Sequence, residues 1–414
     1  ISFNFNYAFN NGHSNIDNNS IFFAPAKFNQ MRSVRLEYNN SWLNFEIEPY
    51  KIFRNSLFNG YYQHNSFNFL NNNTNGNNQL ESEPSGLKNS RFIVHYKGFG
   101  FGYGIENHWW GEGFHSSISL TSNSSSQETY SMGTFKEIFI GKFSFYSKFI
   151  LMPYKNYENE QIYFSGMKLK VSYLTNPIIS IGLNRFYLSG NFQNLYDLSS
   201  LSKPWSKIDA FGLLFEPLFG QDKKNLDYTI PNTPGFDIWD ETLAANIKLL
   251  FPNDHLEVYV EVVSDDSRAN LVDLTSHWDH TLGYTIGLKK FTFIKEVSML
   301  FALEYLSTKP SNTFKKEFYR GDGFEINYFT RYMYNHFTYQ TRFMGPHSGS
   351  SSDDLIFLIG FKKHQNSLLL SYNIERHGLK SFQNPETLRL FNPVIFANIE
   401  IIEYQMRQFN INLK

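Results

Sequence analysis

Ser33–Tyr50 reads SVRLEYNNSWLNFEIEPY, and its period is two. Val34, Leu36 and Tyr38 share one face, while Arg35 and Glu37 take the other. After a polar break at Asn39–Ser41, Leu43, Phe45 and Ile47 lie on one side and Asn44, Glu46 and Glu48 on the opposite side. Successive side chains of a strand point to opposite faces, so the stretch is a hairpin with one apolar face and one charged face. Such a pair is at rest only between water and an apolar medium.

The same rhythm runs outward in both directions. Phe92, Val94 and Tyr96 enter a Lys97–Gly98 turn, and Phe99, Phe101, Tyr103 and Ile105 leave it. Ile138 and Ile140 precede a Gly141–Lys142 turn, then come Phe143, Phe145, Phe149 and Leu151. Met167, Leu169, Val171 and Tyr173 alternate with Lys168, Lys170 and Ser172. A turn at Thr175-Asn176-Pro177 leads on to Ile179, Ile181 and Leu183. Leu256, Val258, Val260 and Val262 alternate with Glu257, Tyr259 and Glu261. Leu355, Phe357, Ile359 and Phe361 turn through Lys362–Asn366 into Leu368, Leu370, Tyr372 and Ile374. ETLAANIKLL (Glu241–Leu250) is helix-prone by composition, but it runs into Pro252-Asn253-Asp254 and a strand, so it too reads as a strand. A short helix is expected within 189–220, around LYDLSSL, and NNNTNGNN (Asn71–Asn78) reads as a mobile loop tip.

Between the tight turns lie long polar stretches at 54–90, 108–133, 189–235, 266–279, 307–320, 346–353 and 377–393. Short turns alternating with long loops are the layout of a transmembrane antiparallel β-barrel of the outer membrane, with periplasmic turns and extracellular loops. The segments number about eighteen, each of the roughly 9–11 residues that cross a bilayer when tilted. An even count puts both termini in the periplasm. The whole chain, 1–414, is one all-β barrel domain in this reading.

Composition agrees. Aromatic residues make up 18% of the chain, with 43 Phe, 26 Tyr and 6 Trp, yet the mean hydropathy is −0.39. A lipid-facing aromatic band on a polar background accounts for both. With 37 basic and 38 acidic residues the chain lacks the cationic excess of a nucleic-acid binder. It has no cysteine, which excludes disulfides and thiolate zinc. No apolar run reaches the ~18 residues of a membrane helix. The chain opens directly with ISFNFNYAF, so any export signal is expected to have been removed. A soluble sandwich would also alternate, but its strands would bury against a second layer, whereas strand after strand here keeps a charged face.

That inner face carries Arg35, Glu37, Glu46, Glu48, Lys168, Lys170, Glu257 and Glu261. Mixed signs predict a lumen laced with ion pairs rather than a selectivity ring. Gly100, Gly102 and Gly104 share the inward face of one strand and leave room for an inserted loop. A constricted lumen is expected.

Past that strand comes NHWWGEGFHSSISLTSNSSS (Asn107–Ser126), which the strand count places at the start of an extracellular loop. Exposed indoles beside carboxylates, amides and imidazoles are the chemistry of a sugar site: the ring stacks on a pyranose and the polar groups bond its hydroxyls. Trp109 and Trp110 could instead belong to an interfacial girdle, but adjacent strand residues face opposite ways, so both cannot face lipid.

Here the sequence resembles the Wzi capsule-assembly family of the Gram-negative outer membrane. Three patches carry the resemblance: GIENHWWGEGFHSSISLTSN (Gly104–Asn123), WDETLAANIKLLFPNDHLEVYVEVVSDD (Trp239–Asp266) and YQTRFMGPHSGSSSDDL (Tyr339–Leu355). The resemblance implies an eighteen-stranded barrel that acts as a surface lectin for capsular polysaccharide and is not an enzyme. It marks Asn107, Trp109, Trp110, Gly111, Gly113 and Asn123 in the loop, Glu261, Asp265 and Asp266 at an acidic strand end, and Arg342 and Gly345 in the third patch. With the polar neighbours Glu106, His108, Glu112, His115 and His347, these form the candidate polysaccharide-binding set. Two departures stand out: Glu112 replaces a proline common in relatives, and the chain opens on a strand where some members carry a periplasmic helical segment. The partners implied are capsular or other surface polysaccharide, outer-membrane lipid and other envelope proteins, with no nucleic acid and no cofactor.

The competing functions are a general diffusion porin, a structural subunit of a larger outer-membrane complex, and a hydrolase built on His347, Ser348, Asp353 and Asp354. Mixed lumen charges and inward glycines weigh against the first. The hydrolase needs a relay geometry that a loop of this composition rarely has. SDDSRANLVD (Ser264–Asp273) is acidic enough for calcium but lacks the regular oxygen spacing and glycine of a helix-loop-helix site, so bound metal stays open.

Overall fold

In a computed structural model the described residues are 1–10, 18, 21–22, 27–54, 85–155, 161–190, 214–215, 217–218, 240–265, 282–308, 330–331, 334–335, 338–339, 342–349, 352–364, 366–377 and 394–405. LYDLSSL, NNNTNGNN, Asp266 and most of the candidate calcium stretch lie outside them, as do the side chains of Asp265 and Arg342. Leu214, Phe215, Pro217 and Leu218 are helical.

The wall is a meander. It opens with β1 (Ser2–Asn10), β2 (Lys27–Asn39), β3 (Leu43–Arg54), β4 (Ser85–Tyr96) and β5 (Phe99–Glu106). Next come β6 (Gln127–Thr134), β7 (Ile138–Ile140), β8 (Phe143–Lys155), β9 (Gln161–Tyr173) and β10 (Ile178–Gly190). Then follow β11 (Asp240–Phe251), β12 (Leu256–Asp265), β13 (Leu282–Ile294) and β14 (Val297–Ser307). Two small ladders, β15 (Thr330–Arg331) with β16 (Tyr334–Asn335) and β17 (Thr338–Tyr339) with β18 (Arg342–Phe343), stand apart from the wall. β19 (Asp353–Lys363), β20 (Asn366–His377) and β21 (Val394–Gln405) complete it.

Every ladder is antiparallel and joins wall neighbours. The main sheet holds 17 strand segments. Because β6 and β7 both pair with β8, they are two pieces of one strand, so the wall has sixteen strands among the described residues. The expected count was about eighteen. β14 pairs directly with β19 from Ser298↔Lys362 to Ser307↔Asp353, and the described pieces between them, β15–β18, pair only with one another. A period of two marks extended chain, not membership of a particular sheet. β6 and the first residues of β4 extend into stretches read as loop. No ladder joins β1 to β21 among the described residues.

The tight turns at 40–42, 97–98, 141–142, 174–177, 252–255, 295–296 and 364–365 all lie at one end of the wall, with the chain-terminal ends of β1 and β21. That is the periplasmic end of an outer-membrane barrel. The outer face is apolar: Phe101, Ile181 and Ile247 are each more than half exposed. Tyr96, Phe139, Ile140 and Phe293 are exposed beside the tight turns, at girdle height. The alternation that identified the strands therefore places these side chains in lipid, and the chain is an outer-membrane β-barrel.

The inner face is wet and paired, as its mixed charges predict. On β2–β4, Arg35 bridges Glu46 at 3.0 Å and Glu48 at 2.9 Å, Lys88 reaches Glu48 at 3.2 Å, and Arg91 reaches Glu46 at 3.2 Å. Further round, Lys170 meets Glu137 at 3.1 Å and Lys289 meets Glu257 at 2.6 Å.

Candidate functional site

Residues 107–126 were expected outside the cell. Instead they fold back into the lumen, where Ile118, Leu120 and Trp110 are almost wholly buried. Trp110 and Leu120 exchange backbone hydrogen bonds at 3.0 and 3.3 Å, closing a tight loop. The physical reason is the loop's own sequence. Its apolar residues find partners on inward faces that carry aliphatic and aromatic side chains: Ile150 and Met152 of β8, Phe164 of β9, Phe186 and Leu188 of β10, Val263 of β12 and Leu306 of β14. The Trp110 ring lies 5.6 Å from that of Phe186. Exposed in water, three such side chains would each forgo ~1.5–3 kcal/mol of burial.

The polar half of the loop is held by two wall carboxylates. Glu304 of β14 accepts the backbone N–H groups of Phe114 (2.7 Å), Ser116 (2.7 Å) and, less closely, His115 (3.3 Å). Tyr259 Oη also donates to it. A fixed carboxylate thus sits in a nest of consecutive amides. Glu261 of β12 accepts the hydroxyls of Ser117 (3.1 Å) and Ser119, and Asn184 of β10 donates to Ser119 Oγ at 3.0 Å. Lys248 of β11 pairs with Glu112 at 2.6 Å. Glu112 is therefore an ionic tie between the loop and the wall.

Gly111 and Gly113 make this approach possible. A Cβ on Gly111 would stand 2.0 Å from Ser117 Oγ and 2.6 Å from Glu261 Oε2, and its φ of +154° disfavours side chains. A Cβ on Gly113 would meet Ser116 O at 1.8 Å and Glu304 Oε2 at 3.0 Å. The inward Gly100 and Gly104 likewise sit against the backbone of β4, and no side chain from their strand projects into the lumen there. The glycines were expected to leave room for an inserted loop; the atoms nearest them belong to Ser90–His95, Ser131 and Phe135, not to 107–126.

A second segment, 343–349, lies on top of the first. Thr121 N donates to Met344 O at 2.8 Å, and Asn123 Nδ2 donates to Phe343 O at 3.1 Å. Thr308 Oγ1 donates to Gly349 O at 2.8 Å. A third, Ile21 with Phe22, packs on the inner face of β2 and β3 against Met31, Tyr50 and Ile52. The lumen of the described barrel is thus occupied by inserted chain.

Between the first two segments and β5–β6 lies a narrow crevice, with room for about one water molecule, lined by Glu106, Asn107, His108, Leu120, Thr121, Ser124, Ser125, Gln127, Met152 and Met344. Glu106 Oε1 and Gln127 Oε1 are buried there with no hydrogen-bond partner, as are the nearby Asn123 Oδ1 and Ser126 Oγ. His108 Nε2 lies 3.2 Å from Thr129 Oγ1. Burial, aided by Lys148 and Arg91, holds the His108 imidazole well below the usual histidine range, so it is neutral at pH 7.

The candidate residues therefore divide. Glu106, Asn107 and His108 line the crevice. Trp110, Glu112, Asn123 and Glu261 build or anchor the inserted loop, and the half-buried Trp109 donates its Nε1 to Gly113 O at 3.0 Å. His115 and His347 meet elsewhere, on β19 and β20. Asp265 ends β12 opposite Thr242, and Arg342 lies in β18. Sequence reasoning missed Glu304 and Tyr259. The signal for Glu304 was present: SMLFALEYLS carries one carboxylate at inward parity amid apolar residues, a charge with no purpose unless something is held there.

No protein-family model and no curated protein matches the sequence. Among solved structures, the chain is similar to Wzi of Escherichia coli, described as an outer membrane protein involved in group 1 capsule assembly and a carbohydrate-binding β-barrel. The TM-score is 0.56 at 10% identity, over 94% of this chain and 71% of that one. OmpF of Salmonella typhi, in complex with daunomycin, matches at TM-score 0.41 and 7% identity, over 90% of this chain and 87% of that one. OprB of Pseudomonas putida matches at TM-score 0.43 and 10% identity, over 90% and 89%. The first likeness establishes a common barrel fold; the two weaker ones carry no argument.

Proposed function

We propose that this outer-membrane barrel is a plugged, non-enzymatic member of the Wzi type that binds surface polysaccharide instead of conducting solutes. The observation that carries the reading is the lumen segment docked on Glu304 and Glu261, with a buried apolar cluster where a diffusion porin keeps a water-filled channel. The crevice beside it has room for about one water molecule, which would serve the buried acceptor oxygens at Glu106 and Gln127. The Wzi likeness supports the same reading, since that barrel binds carbohydrate. Against a hydrolase, both ring nitrogens of His347 face groups other than Ser348: Nδ1 lies 3.2 Å from Asn18 and Nε2 lies 3.1 Å from Glu375.

The test has two parts. Purified protein in detergent is titrated with exported capsular polysaccharide, and the same preparation is inserted into a planar bilayer. The expected result is saturable binding with no large steady conductance. Conductance of porin size without polysaccharide binding would establish the diffusion reading in its place.

A further inference from the structure

We propose that His115, His347, Asp354 and Glu375 form a binding site for one divalent transition-metal ion, zinc by preference, which locks the lumen segment to β19 and β20. The four residues come from four places: the segment 107–126, the segment 343–349, the start of β19 and the end of β20. Asp354 and Glu375 are cross-strand partners in one ladder and both point inward. The donor atoms, one from each residue, all lie within 4.8 Å of one another. His115 Nε2 is 3.1 Å from Asp354 Oδ2, His347 Nε2 is 3.4 Å from the same oxygen, and His347 Nε2 is 3.1 Å from Glu375 Oε1.

With bonds of about 2.0–2.1 Å, the edge of a tetrahedron is about 3.3 Å, which the 3.1, 3.4 and 3.1 Å separations match; the remaining pairs stay within 4.8 Å and would draw together on an ion. The two imidazole rings stand nearly perpendicular, at 82° with centroids 4.9 Å apart, so both can aim a nitrogen at one point without stacking.

A plain hydrogen-bonded cluster accounts for the arrangement less well. Asp354 is 2% exposed and Glu375 is 0% exposed. Two carboxylates so close and so buried repel unless positive charge stands between them, either a metal ion or a protonated imidazole. The nearby Arg376 is turned away, bonded through Nε to Asp353 at 2.7 Å. Asp354 Oδ2 faces both histidine Nε2 atoms, yet it accepts no hydrogen bond of acceptable geometry. An oxygen so placed, with its neighbours at ligand spacing, is oriented for a metal rather than for a proton. The surroundings hold two of the ligands in place: Asn373 Nδ2 donates to Asp354 Oδ1 at 2.6 Å, leaving Oδ2 for the ion, and Asn18 Nδ2 donates to His115 O at 2.7 Å. Such outer partners fix ligand orientation.

Two imidazoles and two carboxylates suit zinc and its first-row neighbours better than calcium or magnesium, which prefer all-oxygen sets. All four positions of a tetrahedral ion would be filled by protein, which is the pattern of a structural site. The ion would cross-link both inserted segments to the wall at a point separate from Glu304 and Glu261.

The experiment uses the full-length barrel in detergent, stripped with a chelator and then titrated. Cobalt(II) is the first probe, because tetrahedral nitrogen–oxygen ligation gives a visible absorption band on the wild-type protein with no mutation needed. Zinc follows by calorimetry, with magnesium and calcium as controls. The expected result is one equivalent of cobalt in a tetrahedral environment, displaced by zinc, with no binding of magnesium at equal concentration. At zinc one hundred times its Kd, amide exchange in 107–126 should slow by about a hundredfold. His115→Gln and Asp354→Asn, measured separately, should each abolish the band while the heat-resistant barrel persists. Absence of a stoichiometric cobalt band on the wild type, or a band unchanged in both variants, overturns the proposal.

Discussion

Glu304→Gln is the sharpest probe of how the lumen segment is held. The change is isosteric and leaves the wall strand intact. In the wild type, Oε2 accepts Phe114 N–H at 2.7 Å together with the Tyr259 hydroxyl, while Oε1 accepts Ser116 N–H at 2.7 Å and His115 N–H at 3.3 Å. A glutamine has one oxygen, so its amide group faces either Phe114 N–H, with the Tyr259 hydroxyl free to turn and accept from it, or Ser116 and His115 N–H; one or two hydrogen bonds are lost and the rest lose their charged acceptor. Bonds to a charged acceptor contribute about 1.5–3 kcal/mol each. Lumen water can re-pair part of the loss, so about 2–4 kcal/mol of docking free energy should disappear. Each 1.4 kcal/mol is a factor of ten, so opening becomes about 30- to 700-fold more frequent. Hydrogen exchange with mass spectrometry reads this directly: peptides covering 107–126 should exchange faster by that factor, while peptides from β8–β10 stay unchanged. If the loop peptides exchange at the wild-type rate, the carboxylate is not what docks the segment, and the account of the plug is wrong.

Other perturbations separate the remaining parts of the structure. Trp110→Ala removes a buried ring from the lumen cluster and should destabilise the docked segment by about 3–5 kcal/mol without preventing barrel assembly, as checked by loop proteolysis against heat-modifiable electrophoretic mobility. Gly111→Ala should undock the loop to a similar degree, because its Cβ has no room beside Ser117 and Glu261; limited proteolysis within 107–126 is the readout. Acid should loosen the crevice. The docked His108 imidazole has its proton affinity lowered by burial, so docking is at full strength above about pH 6.5, the undocked value. It weakens as the pH falls below that, because the undocked state takes up the proton first. Trp110, whose ring lies 6.2 Å from that of His108, should report it by fluorescence, and His108→Gln should remove the dependence. Finally, Leu288→Arg places a charge on the outer face near mid-strand and should cost about 2–4 kcal/mol in unfolding from lipid vesicles.

The plug also changes what a tryptophan substitution can reveal about sugar binding. Trp110 is a packing residue, so losing it disturbs the whole lumen segment, and a fall in polysaccharide retention would not identify a stacking platform.

The alternation around Ser33–Tyr50 and its repeats determined that the chain is a two-faced sheet in a membrane, because a period of two fixes which side chains share a face whatever the strand's neighbours are. The tight turns fixed antiparallel order and put both chain-terminal strand ends at one rim. That β14 pairs with β19 was decided by the tertiary structure, since pairing between distant strands depends on competing partners that a local pattern does not contain. The fate of NHWWGEGFHSSIS was likewise tertiary: the same polar and aromatic residues could meet sugar outside or wall carboxylates inside. The choice went to Glu304, Glu261 and the apolar patch of β8–β14, which lie far from the loop in sequence and come together only when the wall curves round it. His115 and His347 joined Asp354 and Glu375 for the same reason, because no spacing along the chain records a meeting of four separate segments.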